Sequence, residues 1–182
     1  MSETLTPRPL VRPEQLAEIG LFGGLNEEVL RELAGSLDAM LLDPGTVVMR
    51  EGEQAREMFV VISGELEVLR RSRGGSEGRV AMLGPGSWVG DMSILDVQPR
   101  SATVRTLAPA ILLRITGEDL DRLYRRDMRS YLLVILNIAR ELSRRLRVAD
   151  GMIAGFLSAI LDDNMGFQHT PSQPPPPPRE KP

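Results

Sequence analysis

Short apolar runs separated by glycine-containing turns fill the middle of this 182-residue chain and constrain its fold more than any other feature. The runs are Thr46–Met49, Met58–Ile62, Leu66–Leu69, Val80–Leu83, Ala102–Leu107 and Ile111–Ile115. They are apolar or β-branched, and a turn follows each within about ten residues, as in an antiparallel sandwich or barrel. Gly64 is predicted at a tight turn between two strands, and Arg73–Gly78 is predicted as an exposed hairpin loop.

Helical patterns flank these strands. A short helical segment begins at Pro13, and Asn26 is placed as the N-cap of a helix whose apolar stripe extends to Met40. Thr116 is placed as the cap of a segment over Glu118–Tyr124. A longer helix is predicted from near Asp127 to residue 160.

The long helix carries apolar residues whose spacing alternates between three and four positions. They are Leu132, Ile135, Ala139, Leu142, Leu146, Ala149, Ile153, Phe156 and Ile160. We refer to these nine residues as the heptad seam, because a and d positions repeat in this way in coiled coils. The seam predicts a parallel homodimer through helix 127–160. The alternative is a helix that packs only on its own domain, which requires a shorter stripe.

Composition excludes several classes of protein. The chain has no cysteine, so disulfides and thiolate metal sites are excluded, and its single histidine is His169 near the C-terminus. No serine has a histidine partner within the predicted fold, so we expect no enzyme. A net charge of −3 gives no reason to expect DNA or membrane binding. No membrane-spanning run or signal-peptide pattern is present, which predicts a cytoplasmic location, and the arginine-rich basic set suggests a bacterial source.

The segment from Gly90 to Val104, which we call the cassette, has residues suited to holding a phosphate. Arg100 offers a planar fork for two phosphate oxygens, and Gly90 allows the main chain to approach closely. The backbone amides of Met92 and Ser93 would face an anion if a helical turn begins here, and the Ser101 hydroxyl is a further donor. No metal is required by this arrangement.

The cassette resembles the nucleotide-holding loop of cyclic nucleotide-binding domains, whose pattern is roughly G-E-x-A/G-L followed by P-R-A/S-A-T/S. Other stretches are similar to the same family: Ile19–Leu30, Leu42–Gly45, Glu51–Glu53 and Met58–Val68. The resemblance implies an α+β fold, an antiparallel β-roll (jelly roll) with N-terminal helices and a long C-terminal helix. It also implies that Arg100 meets the cyclic phosphate. Asp91 stands where the family has the glutamate that meets the ribose hydroxyl.

Residues 139–148 are similar to the dimer helix of the bacterial cAMP receptor protein group. In that group a threonine–serine pair on this helix contacts adenine, and Ala149 and Asp150 occupy the corresponding positions here. Asp150 is a candidate acceptor for a base amine, with an exposed carboxylate as the alternative. Arg145, or Arg144 beside it, is a candidate for reaching a ligand across the dimer, with exposed arginines on the flank of the coiled coil as the alternative. In those regulators a helix-turn-helix domain follows, and we expect none in the residues that remain.

The resulting prediction has three parts: a flexible arm over 1–11, a cyclic nucleotide-binding domain over 12–161, and a disordered proline-rich tail over 162–182. The function predicted is a stand-alone sensor for cAMP or cGMP that controls a separate partner protein through its C-terminal helix. The tail, with five prolines at 174–178, is a second candidate surface for that partner. The alternative is a degenerate fold that has lost nucleotide binding and serves as a dimeric interaction scaffold.

Overall fold

The computed structural model describes residues 11–72, 74–96 and 98–166. The chain divides into two compact units, residues 1–139 and residues 140–182. Within the described residues the first unit holds eight strands, four complete α-helices and the first part of a fifth. The predicted arm lies outside the described residues except for Val11, whose side chain is buried rather than loose. The tail beyond Gly166 also lies outside them.

Two four-stranded antiparallel sheets form the body of the first unit. Their strands are β1 (Asp38–Leu42), β2 (Val47–Met49), β3 (Glu57–Ser63), β4 (Leu66–Arg71), β5 (Glu77–Leu83), β6 (Trp88–Val89), β7 (Thr103–Thr106) and β8 (Ala110–Thr116). One sheet has the order β1-β8-β3-β6 and the other the order β2-β7-β4-β5. This is the β-roll that the sequence predicted.

The core between the sheets draws residues from both of them. Phe59, Val61 and Leu112 come from one sheet and Leu66 and Val104 from the other, and all five side chains are buried in one cluster. Met58 and Val60, which alternate with Phe59 and Val61 along β3, are buried as well. Strand β3 is therefore covered on both faces, so its sequence reads as a continuous apolar run.

The helices are α1 (Pro13–Ala17), α2 (Glu27–Ser36), α3 (Asp91–Leu95), α4 (Gly117–Arg126) and α5 (Met128–Gly166). Both predicted caps are confirmed. The Asn26 side chain accepts a hydrogen bond from the Val29 amide at 2.9 Å. The Thr116 hydroxyl accepts from the Asp119 amide at 3.2 Å, and Asp119 accepts from the Thr116 amide at 2.9 Å.

Several bounds differ from the prediction. Strand β5 begins at Glu77, inside the hairpin loop predicted to extend to Gly78, because it pairs with β4 from Arg71 onward. Residues 38–40 were assigned to the helix that follows Asn26, but α2 ends at Ser36 and β1 begins at Asp38. Leu37 has an extended backbone, and β1 pairs with β8, so long-range pairing overrides the apolar stripe. Strand β6 was also missed, since two residues carry no periodicity. Helix α5 continues to Gly166, beyond the predicted end at residue 160.

Glycine is required at the turn between β3 and β4. Gly64 has φ of +92°, and a Cβ built on it would lie 2.6 Å from the Pro109 carbonyl oxygen and 2.7 Å from Ala110 Cα. An L-residue would therefore be strained and would also collide with the backbone. The prediction of a tight turn at Gly64 is confirmed.

The part of α5 up to residue 139 belongs to the first unit and packs within it through one stripe. Ser130, Val134, Asn137 and Ile138 are buried. The Asn137 amide nitrogen donates to the carbonyl oxygens of Leu21 at 3.1 Å and Gly23 at 3.0 Å. This stripe is distinct from the heptad seam, because Leu132 at the start of the seam is 56% exposed. None of the helices in the described part of the chain has the length and apolar character needed to cross a bilayer.

Candidate functional site

Arg100 is the centre of the candidate site, and its main chain is held by a turn that precedes β3. The Arg100 amide donates to the Glu53 carbonyl at 2.8 Å, and the Arg100 carbonyl accepts from the Gly52 amide at 2.9 Å. The same turn is tied to β7, because the Glu51 amide donates to the Thr103 hydroxyl at 3.0 Å. The Glu51–Glu53 motif therefore fixes the backbone of Arg100.

The Arg100 guanidinium is buried, with 2% of its side chain exposed. Nη1 lies 2.7 Å from the Glu57 carbonyl oxygen, 3.2 Å from Ser93 Oγ and 3.4 Å from the Gly90 carbonyl oxygen. Nη2 faces the Glu57 carboxylate at 3.8 Å. Nε is buried and has no hydrogen-bond partner among the described residues. A buried donor without a partner is costly, so Nε is a position where an anionic ligand would be stabilised.

The electrostatics of Arg100 reflect this burial. Desolvation lowers the pKa of the guanidinium from its ordinary value, and the charges of Glu57 and Glu53 oppose part of that effect. An arginine side chain still remains charged at physiological pH. A buried positive charge is therefore present at the cassette, compensated mainly by Glu57.

The residues of the cassette that precede Arg100 form a short helical turn. Gly90 is the N-cap of α3 with φ of +82°, and a Cβ built on it would lie 2.5 Å from Arg100 Nη1. Asp91 and Ser93 are buried beside it, whereas Met92 is 54% exposed. The Ser93 amide, predicted to face a phosphate, donates to the Gly90 carbonyl oxygen at 3.1 Å, and the Ser93 hydroxyl contacts Arg100. Ser101 is exposed next to Arg100.

The structure therefore brings together Gly90, Asp91, Ser93 and Arg100, with Met92 and Ser101 at the solvent-exposed side. Arg145 and Asp150 belong to the second unit, residues 140–182. Both are exposed there, and Arg145 Nε lies 3.2 Å from Glu141 Oε1. Their assignment to the ligand stays a prediction.

A cleft of about 860 Å³ lies beyond the end of α3. Its lining residues are Arg56, Ile94, Leu95, Thr116, Gly117, Glu118, Leu120, Asp121, Tyr124, Tyr131 and Ile135. The rings of Tyr124 and Tyr131 meet edge to face with centroids 5.3 Å apart. Arg100 does not line this cleft. Among the described residues no cluster of three or more histidine or acidic side chains could hold a metal ion.

Comparison with known proteins bears on this arrangement. The family model of the cyclic nucleotide-binding domain matches residues 40–127, which include the cassette and all eight strands except the start of β1. The chain carries a domain of the cyclic nucleotide-binding family. The family and the fold predicted from the sequence are thereby confirmed.

Bacterial regulators are among the most similar proteins. The cyclic AMP receptor protein of Thermus thermophilus is 35% identical over 130 residues, 71% of this chain and 58% of that protein. The crystal structure of the Thermus thermophilus catabolite activator protein is similar with a TM-score of 0.67 at 34% identity, covering 76% of this chain and 63% of that one. The N-terminal domain of a transcriptional regulator from Streptomyces coelicolor gives a TM-score of 0.65 at 28% identity, covering 74% and 93%. The chain thus spans 58% of the length of its curated Thermus relative.

One residue of the cyclic nucleotide-binding domain was not predicted from the sequence. Glu57 provides both a carbonyl and a carboxylate to Arg100, although it lies 43 positions earlier in the chain. No local motif identifies it, because its role depends on β3 passing beside α3. The sequence identified the Glu51–Glu53 motif as a turn of the family, but it did not indicate that this turn contacts Arg100.

Proposed function

We propose that this protein is a non-enzymatic regulator that binds a cyclic nucleotide, cAMP or cGMP, through its cassette. The observation that carries the proposal is the buried Arg100, whose Nε has no hydrogen-bond partner among the described residues. A cyclic phosphodiester bears one negative charge and two free oxygens, which match the edge of a guanidinium. The similarity to a cyclic AMP receptor protein further supports this ligand class.

The other cassette residues have defined roles in this proposal. Gly90 keeps the space beside Arg100 Nη1 free, because any side chain there would collide with it. Asp91 accepts from the ribose 2′-hydroxyl, a charge-assisted bond worth about 1.5–3 kcal/mol. The Ser101 hydroxyl and the Met92 amide complete the phosphate contacts, whereas the Ser93 amide already donates to the Gly90 carbonyl oxygen. Asp150 and Arg145 are assigned to the base and to contact across a dimer.

A homodimer through α5 is the second part of the proposal. Five seam residues are more than half exposed: Leu132 at 56%, Leu146 at 62%, Ile153 at 58%, Phe156 at 71% and Ile160 at 57%. Exposed apolar side chains repeated at heptad spacing are stabilised when a second helix covers them. Nucleotide binding would then regulate a partner protein by favouring one arrangement of the helix over another.

Isothermal titration of the purified full chain with cAMP and with cGMP tests the ligand. We expect binding in the micromolar range or tighter that is lost in Arg100→Ala. The matched control is Arg125→Ala, since Arg125 is exposed and pairs only with Asp121 in an i,i+4 contact among the described residues. Binding that persists unchanged in Arg100→Ala would show that the cassette is not the site.

A dimeric scaffold without nucleotide binding is the second candidate. Two observations favour it: Asp91 is one methylene shorter than the family glutamate, and Arg100 already has Glu57 as a counter-charge. If neither cAMP nor cGMP binds in the titration and the protein forms a stable dimer, the scaffold function is supported and the sensor function is rejected.

A further inference from the structure

Four charged side chains lie in a row from the edge strand β1 to the cassette. Asp38 and Arg114 are directly opposite each other on β1 and β8, and their side chains meet at 2.9 Å. Arg114 Nη1 lies 3.5 Å from Glu57 Oε2, across β8 and β3. Glu57 Oε1 in turn lies 3.8 Å from Arg100 Nη2. The carboxylate of Glu57 is therefore placed between two guanidinium groups.

Neither of these contacts of Glu57 is fully formed. A side-chain separation of 3.8 Å is an ion pair but not a hydrogen bond, and 3.5 Å is at the limit. Arg100 Nε and Arg114 Nε are both buried without a hydrogen-bond partner among the described residues. Each guanidinium thus keeps an N–H that can donate to an additional oxygen, while the one carboxylate is divided between them.

We infer that Glu57 is an exchangeable counter-ion, which neutralises Arg100 when no nucleotide is bound and pairs with Arg114 when the cyclic phosphate binds Arg100. The inference rests on the proposed function and adds the element that sets the affinity of the site. Two anions beside one buried guanidinium repel each other, so phosphate binding requires Glu57 to withdraw. The buried Nε of Arg114 provides the donor that stabilises the withdrawn carboxylate.

The exchange predicts opposite effects for the two neighbours of the carboxylate. Glu57→Gln removes the competitor, so the affinity for cAMP rises on the order of tenfold. Arg114→Gln removes the alternative partner of Glu57, which keeps the carboxylate on Arg100 and lowers the affinity. The double variant should bind cAMP with the same affinity as Glu57→Gln. Without the Glu57 carboxylate, Arg114 has no partner to draw away from Arg100, so its removal has no further effect.

Glu67→Gln is the matched control. Glu67 is also a buried carboxylate, 5% exposed, and it pairs with Arg105 and Arg79 on the other sheet. Its substitution should lower thermal stability but leave cAMP affinity unchanged. Titrations of the wild type and these four variants with cAMP measure the set. An affinity that falls in Glu57→Gln, or additive effects in the double variant, would overturn the exchange.

A second readout separates this inference from the proposed function. Sulfate bound at an anion site raises the melting temperature without a nucleoside, whereas the general stabilisation by sulfate is common to all variants. We expect the gain to be larger in Glu57→Gln than in the wild type and Glu67→Gln, and we expect this excess to disappear when Arg100→Met is added. If cAMP and cGMP fail to bind while this sulfate pattern appears, the proposed nucleotide function is wrong, but the role of Glu57 as the exchangeable counter-ion of Arg100 is retained. Equal sulfate gains in the wild type and Glu57→Gln would overturn the counter-ion.

Discussion

Gly90 and Arg100 occupy the same small volume, because a Cβ on Gly90 would lie 2.5 Å from Arg100 Nη1. The same Cβ would lie 2.8 Å from the Glu57 carbonyl oxygen, which is the main acceptor of that nitrogen. The guanidinium can therefore lie here only because residue 90 has no side chain. The glycine at position 90 therefore helps to determine where the positive charge of Arg100 lies in the cassette.

Gly90→Ala should abolish nucleotide binding and destabilise the fold. A non-glycine residue at φ of +82° is strained by about 1–2 kcal/mol, and the methyl group would also displace Arg100. Gly86→Ala is the matched control, since Gly86 has φ of +83° and nothing within 4 Å of a built Cβ. It should show the strain in thermal unfolding but retain binding in titration. Equal binding by the two variants would contradict the collision.

Asp91→Glu should tighten cyclic nucleotide binding. The longer side chain reaches the position of the family's ribose contact, and a charge-assisted hydrogen bond of about 1.5–3 kcal/mol corresponds to roughly tenfold or more in affinity. Asp91→Asn, which keeps the shorter length and removes the charge, should weaken it. Titration with cAMP measures both, and thermal unfolding without nucleotide shows whether the buried site tolerates the added methylene. An unchanged affinity in Asp91→Glu would show that the side chain faces elsewhere.

Asn137→Leu should destabilise the first unit by about 1–3 kcal/mol, because two carbonyl oxygens lose their buried donor. Asn137→Asp should be worse, since a carboxylate only accepts hydrogen bonds and would face the carbonyl oxygens of Leu21 and Gly23. Urea unfolding of the full chain measures both free energies. If Asn137→Asp is no less stable than Asn137→Leu, these hydrogen bonds do not hold the start of α5.

Asp127 should make the stability of α5 depend on pH. Its carboxylate accepts from the Ser130 hydroxyl at 2.6 Å and from the amides of Arg129 and Ser130, and the Ser130 hydroxyl is the largest cause that lowers the pKa of Asp127. A lowered folded-state pKa gives stability that is present above the ordinary aspartate pKa of about 4 and lost as the pH falls through the lower value.

Melting temperatures of the wild type and Asp127→Asn at pH 7 and pH 3 test this dependence. Asparagine retains an acceptor for the helix amides but does not titrate. The wild type should melt higher at neutral pH, and the difference should shrink in acid. A difference that is the same at both pH values would mean that the charge of Asp127 contributes nothing.

The heptad seam should mediate self-association. Leu146→Glu and Ile153→Glu each place a charge on the seam, and sedimentation should show that these variants stay monomeric at concentrations at which the wild type is a dimer. Val148→Glu is the control, because Val148 is 59% exposed but lies outside the seam. Dimerisation that is equally sensitive to Val148→Glu, or a monomeric wild type, would reject the seam as an interface.

Features determined by neighbouring residues were predictable from the sequence. The caps at Asn26 and Thr116 and the turn at Gly64 each depend on a few adjacent positions. The cassette could be identified because its residues lie within fifteen consecutive positions, Gly90 to Val104. The assignment of residues 38–40 failed because an apolar stripe has the same composition whether it continues a helix or enters a sheet.

The sequence by itself determined six of the eight strands in the described residues, the caps, the cassette and the spacing of the heptad seam, since local backbone preference and side-chain periodicity are properties of short segments. Only the tertiary structure decided that β1 pairs with β8, that Asn137 meets the carbonyls of Leu21 and Gly23, and that Glu57 stands between Arg100 and Arg114. These contacts join residues far apart in the chain, and their energies depend on burial and on distances that arise when the sheets and helices pack together.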